Sequence, residues 1–241
     1  MIDSDTTLRT IALSQPATIR VFERFGLDYC CGGNRTLATA CTEKGLDMSA
    51  VLPALAETAA GAPAEPDFTQ VTASELISHI VSTHHAFVRR ELPRLGTLAE
   101  KVVQQHGQRH PELFEIQSRL QMLGEDLLQH LHKEEVILFP YIESLERCRN
   151  GQGDLPQACF GSIESPIRVM IDEHETAAAL LEQMRALSGG FTPPPDACPT
   201  LAGFYDGLAA FERNLHRHVH LENNLLFPRA IEMEQGTQLS C

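Results

Sequence analysis

The stretch His-Leu-His-Lys-Glu-Glu-Val-Ile-Leu-Phe-Pro at residues 130–140 returns 88 residues later as His-Val-His-Leu-Glu-Asn-Asn-Leu-Leu-Phe-Pro at residues 218–228. Two histidines, the first glutamate, the last leucine, the phenylalanine and the proline recur at identical offsets. An earlier histidine repeats as well, since His85 precedes the first copy by 45 residues and His174 precedes the second by 44. The chain therefore uses one unit twice, an early histidine followed by His-x-x-x-Glu.

This spacing predicts a site for two metal ions. Residues four apart on an α-helix differ by about 40° around the axis and about 6 Å along it, so each His-x-x-x-Glu pair shares one face. Four imidazoles and two carboxylates suit two ions better than one, and this nitrogen and oxygen set favours iron or manganese. A closed zinc site fits poorly, because no cysteine lies at helical spacing to these residues. The candidate ligands are His85, His130, Glu134, His174, His218 and Glu222.

Composition narrows the class of protein. A net charge of −13 over 241 residues argues against a nucleic-acid binder, which needs clustered Lys and Arg. No apolar run approaches the ~18 residues of a membrane span, and the polar start does not resemble a secretion signal. The seven cysteines form no zinc-type pairs, and a disulfide framework is not expected. We therefore expect a cytoplasmic protein.

The apolar periodicity predicts an all-α protein with two domains. Residues 1–59 form a small helical N-terminal domain, and a linker rich in Pro, Gly and Ala follows over 60–67. Residues 70–236 form an antiparallel four-helix bundle, whose ligand sites lie between facing helices. The predicted helices cover 16–25, 34–41, 49–59, a stretch from 72 or 74 with Pro93 at a bend or near its end, 111–139, 166–187 and 200–227.

The remaining histidines are expected to play ordinary roles. His132 and His220 lie about 200° around the helix from the preceding candidate ligand, so they should face away from the site. His84 adjoins His85, and the repeat offset favours His85 as the ligand. A ligating imidazole usually donates its second N–H to an acceptor, for which the candidates are Asp126, Asp172 and Glu173.

The motifs resemble those of the repair-of-iron-centres family. The resemblance covers nearly the whole chain and includes Asp28-Tyr-Cys-Cys-Gly-Gly33, Glu91-Leu-Pro93, the two repeated stretches, Glu173-His174 and Thr192-Pro-Pro-Pro-Asp-Ala-Cys198. It implies a haemerythrin-like domain in which Glu134 and Glu222 bridge two non-haem irons held by the six candidate ligands. It also implies repair of iron-sulfur clusters damaged by nitric oxide or oxidants. The chain departs from oxygen-carrying haemerythrins, which have a histidine at the position of Ala178 and an aspartate at that of Asn223.

Cys30 and Cys31 are the second candidate functional element. A helix predicted to start near Asn34 would place them at its N-terminus, which stabilises a thiolate and lowers its pKa. Two adjacent thiols could bind iron, transfer it or carry redox equivalents, and the alternative is a packed pair without chemistry. The following Gly-Gly predicts a close approach of backbone or a turn with positive φ.

Three functions are compatible with these residues. The first is repair of iron-sulfur proteins by iron donation or nitric oxide chemistry, which need not make the protein an enzyme. The second is a sensor or store for nitric oxide or O2, and the third is a two-metal hydrolase. The cysteine-bearing domain favours the first over the second. The residues do not decide whether the chain forms a homodimer, nor do they assign a role to Cys41, Cys148, Cys159, Cys198 or Cys241.

Overall fold

The computed structural model describes residues 2–61, 67–157 and 160–238. Within these ranges the regular elements are all helical, and the one extended pairing is an isolated bridge between Thr7 and Thr36. The predicted all-α class is confirmed. The predicted linker over 60–67 falls mostly outside the described residues, as do Cys159 and Cys241. No helix in the described ranges combines the length and apolar character needed to cross a bilayer.

Four short helices make up the N-terminal part of the chain. They are α1 (Leu8–Ser14), α2 (Ile19–Phe25, after a 3-10 turn over Pro16–Thr18), α3 (Leu37–Glu43) and α4 (Met48–Gly61). Their apolar faces form a separate core in which Leu8, Phe22 and Leu55 are fully buried. The sequence did not predict α1. It also placed the start of α3 at Asn34, whereas the side chain of Thr36 caps this helix and Leu37 begins it.

Four long helices form the predicted bundle, and three of them contain a π turn. The first joins α5 (Ala73–His79), a π turn (Ile80–His85) and α6 (Ala86–His106); the second joins α7 (Glu112–Lys133), a π turn (Glu134–Leu138) and α8 (Phe139–Arg149); the third is α9 (Glu164–Leu187); and the fourth joins α10 (Pro199–Leu221), a π turn (Glu222–Leu226) and α11 (Phe227–Gln238). Helix α7 packs against α9, and α6 packs against both α7 and α10.

The π turns explain why two predicted helix ends were wrong. Prediction placed ends at Phe139 and Phe227, but these helices continue to Arg149 and Gln238. Pro93, predicted at a bend or near a helix end, lies inside α6. Inside an α-helix a proline lacks the N–H for one hydrogen bond and its ring clashes with the carbonyl four residues back. In the two repeats, the N–H of the phenylalanine before the proline instead bonds five residues back, to the carbonyl of Glu134 or Glu222. This wider turn lets the helix continue past the proline.

The apolar side chains of the bundle form two clusters, with a polar layer at their junction. One cluster contains Leu95, Leu123 and Leu208 and the other contains Ile142 and Phe227. Along each bundle helix most residues of one cluster come before the candidate ligands, and most residues of the other come after them. The six polar side chains are therefore enclosed by apolar residues at both ends, which keeps water out and strengthens electrostatic interactions between them.

The N-terminal helices contact the third and fourth bundle helices. Glu23 accepts a hydrogen bond of 3.0 Å from the Arg217 guanidinium, and Lys44 forms an exposed ion pair of 3.4 Å with Glu182. His220, which was expected to have an ordinary role facing away from the site, is buried with its ring centroid 5.3 Å from that of Tyr29. The far side of the motif helix thus forms the contact with the N-terminal helices.

Candidate metal centre

The six predicted ligands lie together in two buried groups that share both glutamates. One group contains His85, Glu134, His218 and Glu222, and the other replaces the two histidines with His130 and His174. In each group the candidate ligand atoms all lie within 4.8 Å of one another. The side chains of both glutamates are 0% exposed.

Each glutamate directs one oxygen to each group. Glu134 Oε2 lies 3.5 Å from His85 Nε2, and its Oε1 lies 3.3 Å from His130 Nε2. Glu222 Oε1 lies 2.9 Å from His218 Nε2, and its Oε2 lies 3.2 Å from the Nε2 of His174. Two carboxylates arranged in this way can each bind two cations at once.

The spacing of the donor atoms fits a pair of cations. His85 Nε2 and His218 Nε2 are 3.1 Å apart, and His130 Nε2 and His174 Nε2 are 3.0 Å apart. Two ligand atoms at right angles around an ion, each at ~2.1 Å from it, lie ~3.0 Å apart. Among the described buried atoms, both oxygens of Glu134 and Oε2 of Glu222 have no hydrogen-bond partner. Such atoms are costly to bury unless an ion binds them.

The pKa values of the two buried carboxyl groups shift in opposite directions. Burial and the nearby charge of Glu222 raise the pKa of Glu134. Burial acts in the same direction on Glu222, but the neighbouring imidazoles of His218 and His174 outweigh it and lower the pKa of Glu222 well below its usual range. Without a cation, the centre therefore favours one ionised carboxylate over two, and two metal ions would stabilise both charges.

Two of the imidazoles are oriented by residues that the sequence analysis did not identify. His85 Nδ1 lies 2.6 Å from Glu135 Oε1, and His174 Nδ1 lies 3.0 Å from Asn223 Oδ1. Both acceptors directly follow a candidate glutamate, so they occupy the same offset in the two copies of the repeat. This shared offset was the signal available in the sequence. An acceptor at Nδ1 fixes the orientation and tautomer of a ligating imidazole.

The two halves differ at the remaining pair of imidazoles. His130 Nδ1 lies 2.8 Å from Glu173 Oε2, as predicted for this candidate, and Lys133 also contacts Glu173. In the other half His84 takes the equivalent place, one residue before the early histidine. Its ring stacks on His218 at 5.7 Å, and His218 Nδ1 is among the buried atoms without a partner. One group thus holds both imidazoles by hydrogen bonds, and the other holds only one.

The other sequence candidates lie away from the centre. Asp126 and Asp172 are exposed, and no described hydrogen bond joins either of them to a candidate ligand. His132 is exposed, as predicted. A cavity of about 240 Å³ opens beside His130 and is also lined by Ala177. Of the six candidate ligands, only His130 lines this cavity.

The cysteine pair is held against the second copy of the repeat. The Asn224 side-chain amide donates to the carbonyls of Tyr29 at 3.0 Å and Cys30 at 3.4 Å, and that of Asn223 donates to Cys30 at 3.5 Å. Asn223 therefore contacts both His174 and the backbone of the cysteine pair. This link was not apparent from the sequence, because 193 residues separate Cys30 from Asn223.

The prediction of a thiolate with a lowered pKa at the cysteine pair was wrong for Cys30. Helix α3 begins at Leu37, so no helix N-terminus lies next to these residues. A hydrogen bond with Cys31 and burial raise the pKa of Cys30 well above its usual value. Of the two alternatives predicted for Gly32 and Gly33, the structure shows the close approach, since neither residue has a positive φ. A Cβ on Gly33 would lie 2.9 Å from both Asn224 Oδ1 and the Tyr29 carbonyl, so the backbones approach closely there.

Comparison with known proteins identifies the two parts of the chain. Residues 76–230 match the hemerythrin HHE cation binding domain, and residues 4–59 match a domain of unknown function, DUF542. The first match includes every candidate ligand of the metal centre. The bundle is thus a haemerythrin-type cation-binding domain, with histidine and glutamate clusters that could hold metal.

Relatives extend this result to the whole chain. The chain is 39% identical to a protein of Escherichia coli O157:H7, 38% to one of Citrobacter koseri and 37% to one of Dickeya chrysanthemi. Each comparison covers 95% of this chain and 98% of the relative. All three relatives are named iron-sulfur cluster repair protein YtfE. The chain belongs to this family of iron-sulfur cluster repair proteins.

Proposed function

We propose that this protein is a di-iron protein that repairs iron-sulfur clusters damaged by nitrosative or oxidative stress. The observation that carries the proposal is the pair of buried glutamates, each of which directs one oxygen to each pair of histidines. The names of the relatives support the biological role. The proposed domains are residues 1–59, which carry the cysteine pair, and residues 70–236, which hold the irons.

The proposed ligands divide evenly between the two irons. His85 and His218 would hold one iron, His130 and His174 would hold the other, and Glu134 and Glu222 would bridge them. The donor atoms are nitrogen and oxygen with no thiolate, which suits iron better than a closed zinc site. When bound, the irons would supply electron transfer and a position for nitric oxide or O2.

The protein residues would hold the irons and control their release. Glu135, Glu173 and Asn223 accept hydrogen bonds from three of the imidazoles, which keeps the Nε2 atoms directed at the metals. The apolar clusters on both sides exclude water. Iron donation to a damaged cluster and nitric oxide chemistry at the centre are both compatible with this arrangement, and the first treats iron as cargo.

The cysteine pair would act in the transfer of iron to the damaged protein. Asn223 and Asn224 place the backbone of Cys30 next to the His174 side of the centre. Cys30 is buried whereas Cys31 is partly exposed, so one thiol can meet a partner at the surface. The partners would be damaged iron-sulfur proteins. The five described cysteines are free thiols, which supports a reducing, cytoplasmic setting.

Metal analysis and Mössbauer spectroscopy of the anaerobically purified protein test the di-iron proposal. The parent should contain two irons in a coupled pair. Glu222→Ala should lose one or both irons while its circular dichroism stays helical, because each iron would lose an oxygen ligand. His132→Ala, which changes an exposed histidine in the first copy of the repeat, is the control and should keep both. Two irons in folded Glu222→Ala would remove this residue from the site.

A cluster-reconstitution assay tests the proposed role of the cysteine pair. The double variant Cys30→Ala, Cys31→Ala should keep the di-iron spectrum but lose most of its ability to restore a nitric-oxide-treated iron-sulfur protein. Cys148→Ala, which changes another partly exposed free thiol, should repair as well as the parent. Full repair by the double variant would show that the pair only fills space.

A further inference from the structure

Asp28, Cys30 and Cys31 form a second cluster of candidate metal donors outside the bundle. One carboxylate oxygen and the two sulfurs lie within 4.8 Å of one another. Asp28 Oδ1 accepts the backbone N–H of Cys31 at 3.0 Å and lies 3.3 Å from Cys30 Sγ, which donates its S–H to it. Two thiols and a carboxylate oxygen therefore converge on one small volume.

The shape of this loop depends on two glycines. A Cβ on Gly32 would lie 1.8 Å from a guanidinium nitrogen of Arg35, and glycine leaves that space open. Arg35 occupies it and forms an ion pair of 2.8 Å with Asp28 Oδ2. This interaction fixes the carboxylate so that its other oxygen, Oδ1, points to the two cysteines. Gly33 allows the close approach to Asn224 that anchors the loop to the bundle.

One side of the cluster is accessible from outside. Cys30 is buried in the bundle core, whereas Asp28 and Cys31 are each partly exposed. Three protein ligands leave a fourth coordination position open, which is typical of sites that exchange ligands and not of closed structural sites. Thiolates select soft and borderline cations such as ferrous iron, zinc and cadmium over magnesium and calcium.

We propose that Asp28, Cys30 and Cys31 form a third metal site, which takes a thiophilic divalent cation. The cation replaces the proton between Cys30 Sγ and Asp28 Oδ1, and binding releases the protons of both thiols. The two thiolates and the carboxylate carry three negative charges, which the cation and the Arg35 guanidinium balance. Nothing is oxidised or reduced in this step.

The cation in the cell would be ferrous iron in transit, and this part of the inference rests on the proposed function. Asn223 touches both sites, since its Oδ1 lies 3.0 Å from His174 Nδ1 and its Nδ2 lies 3.5 Å from the Cys30 carbonyl. Only the Asn223 side chain thus separates His174 from the cysteine loop, and iron released by His130 and His174 would bind next at that loop. The open position would then present it to a partner.

Cadmium titration of the reduced, iron-loaded protein under anaerobic conditions tests the third site. The parent should bind one equivalent of cadmium with a sulfur-to-cadmium charge-transfer band and keep its iron. Cys30→Ser and Cys31→Ser should each weaken binding by roughly tenfold or more, and Asp28→Asn should weaken it by a similar factor while both thiols remain. Cys148→Ser and Cys198→Ser are the matched controls and should bind as the parent does. Circular dichroism establishes that every variant is folded.

The result that overturns the inference is a parent protein without a thiolate band, or a band that persists in both Cys30→Ser and Cys31→Ser. Unchanged affinity in Asp28→Asn would remove the carboxylate from the site. A parent whose two cysteines are joined by a disulfide under the same reducing conditions would also overturn it. Failure of the di-iron proposal is distinguishable, because folded Glu222→Ala should lose iron from the bundle yet still bind cadmium at the loop.

Discussion

Removal of the metal ions should destabilise the protein strongly, and the size of the effect follows from the buried carboxylates. Without a cation, three carboxylate oxygens of Glu134 and Glu222 have no hydrogen-bond partner among the described buried atoms. An unsatisfied buried polar atom costs ~1–3 kcal/mol, so metal binding should contribute about 3–9 kcal/mol at these atoms alone. A chain of this size shifts its melting temperature by roughly 2–4 °C per kcal/mol.

Differential scanning calorimetry of the metal-loaded and chelator-treated protein measures this difference. We expect the melting temperature to fall by about 6–36 °C on metal removal. Equal melting temperatures for the two forms would refute the reasoning, because the buried oxygens would then be satisfied without metal. Excess metal must be removed from the loaded sample, since free ligand raises the melting temperature by mass action.

The variant Glu134→Gln separates the metal contribution from ordinary packing. It keeps the shape of the side chain but removes a buried acidic group close to Glu222. The metal-free variant should be as stable as the metal-free parent or more so, because a neutral amide is less costly to bury than a carboxylate. Its response to metal should be smaller than that of the parent. A metal-free variant that is much less stable than the parent would show that the carboxyl group stabilises the fold directly.

Further predictions concern the asymmetry of the centre, the thiols and a helix terminus. A chelator should remove the two metals in two phases, because His218 Nδ1 lacks a hydrogen-bond acceptor whereas Glu173 accepts from His130. A missing acceptor typically lowers metal affinity roughly 10–100-fold. In Glu173→Ala the two phases should converge, and a single phase in the parent would contradict the asymmetry. Cys198 should be alkylated faster than Cys30 at pH 7, as followed by mass spectrometry. A hydrogen bond from a backbone N–H and one from His106 lower the pKa of Cys198 to about 7, so its rate should rise up to that pH and then level off, and equal rates for the two thiols would be inconsistent with this. Glu146→Gln should lower the free energy of unfolding by about 1–2 kcal/mol in denaturant titrations, because this carboxylate accepts two backbone N–H bonds at the start of α5. These two hydrogen bonds and one from the Ser74 hydroxyl lower the pKa of Glu146, although its partial burial acts in the opposite direction. The stabilisation by Glu146 should therefore be present at neutral pH and be lost as the pH falls through the lowered pKa.

The sequence predicted the class of fold and the residues that meet in the centre because both depend on periodic patterns. Residues four apart share a helix face whatever the surroundings, so each His-x-x-x-Glu pair could be placed without knowing its neighbours. The repetition of the unit then indicated which histidine on each of the other helices belonged with it. The predicted helix ends at Phe139 and Phe227 were wrong for a local reason. A proline normally stops a helix, but a π turn just before it allows the helix to continue.

By itself, then, the sequence determined the four bundle helices, the choice of His85 over His84 and the grouping of six polar side chains. Only the tertiary structure decided how those side chains are oriented and what surrounds them. Glu135 and Asn223 reach imidazoles on other helices, and Asn224 holds a loop 195 residues away in the chain. These contacts depend on the packing of separate elements, which no local spacing specifies. The burial that helps to raise the pKa of Cys30 has the same origin, because Cys30 joins the apolar core of the bundle only when the N-terminal part of the chain packs on it.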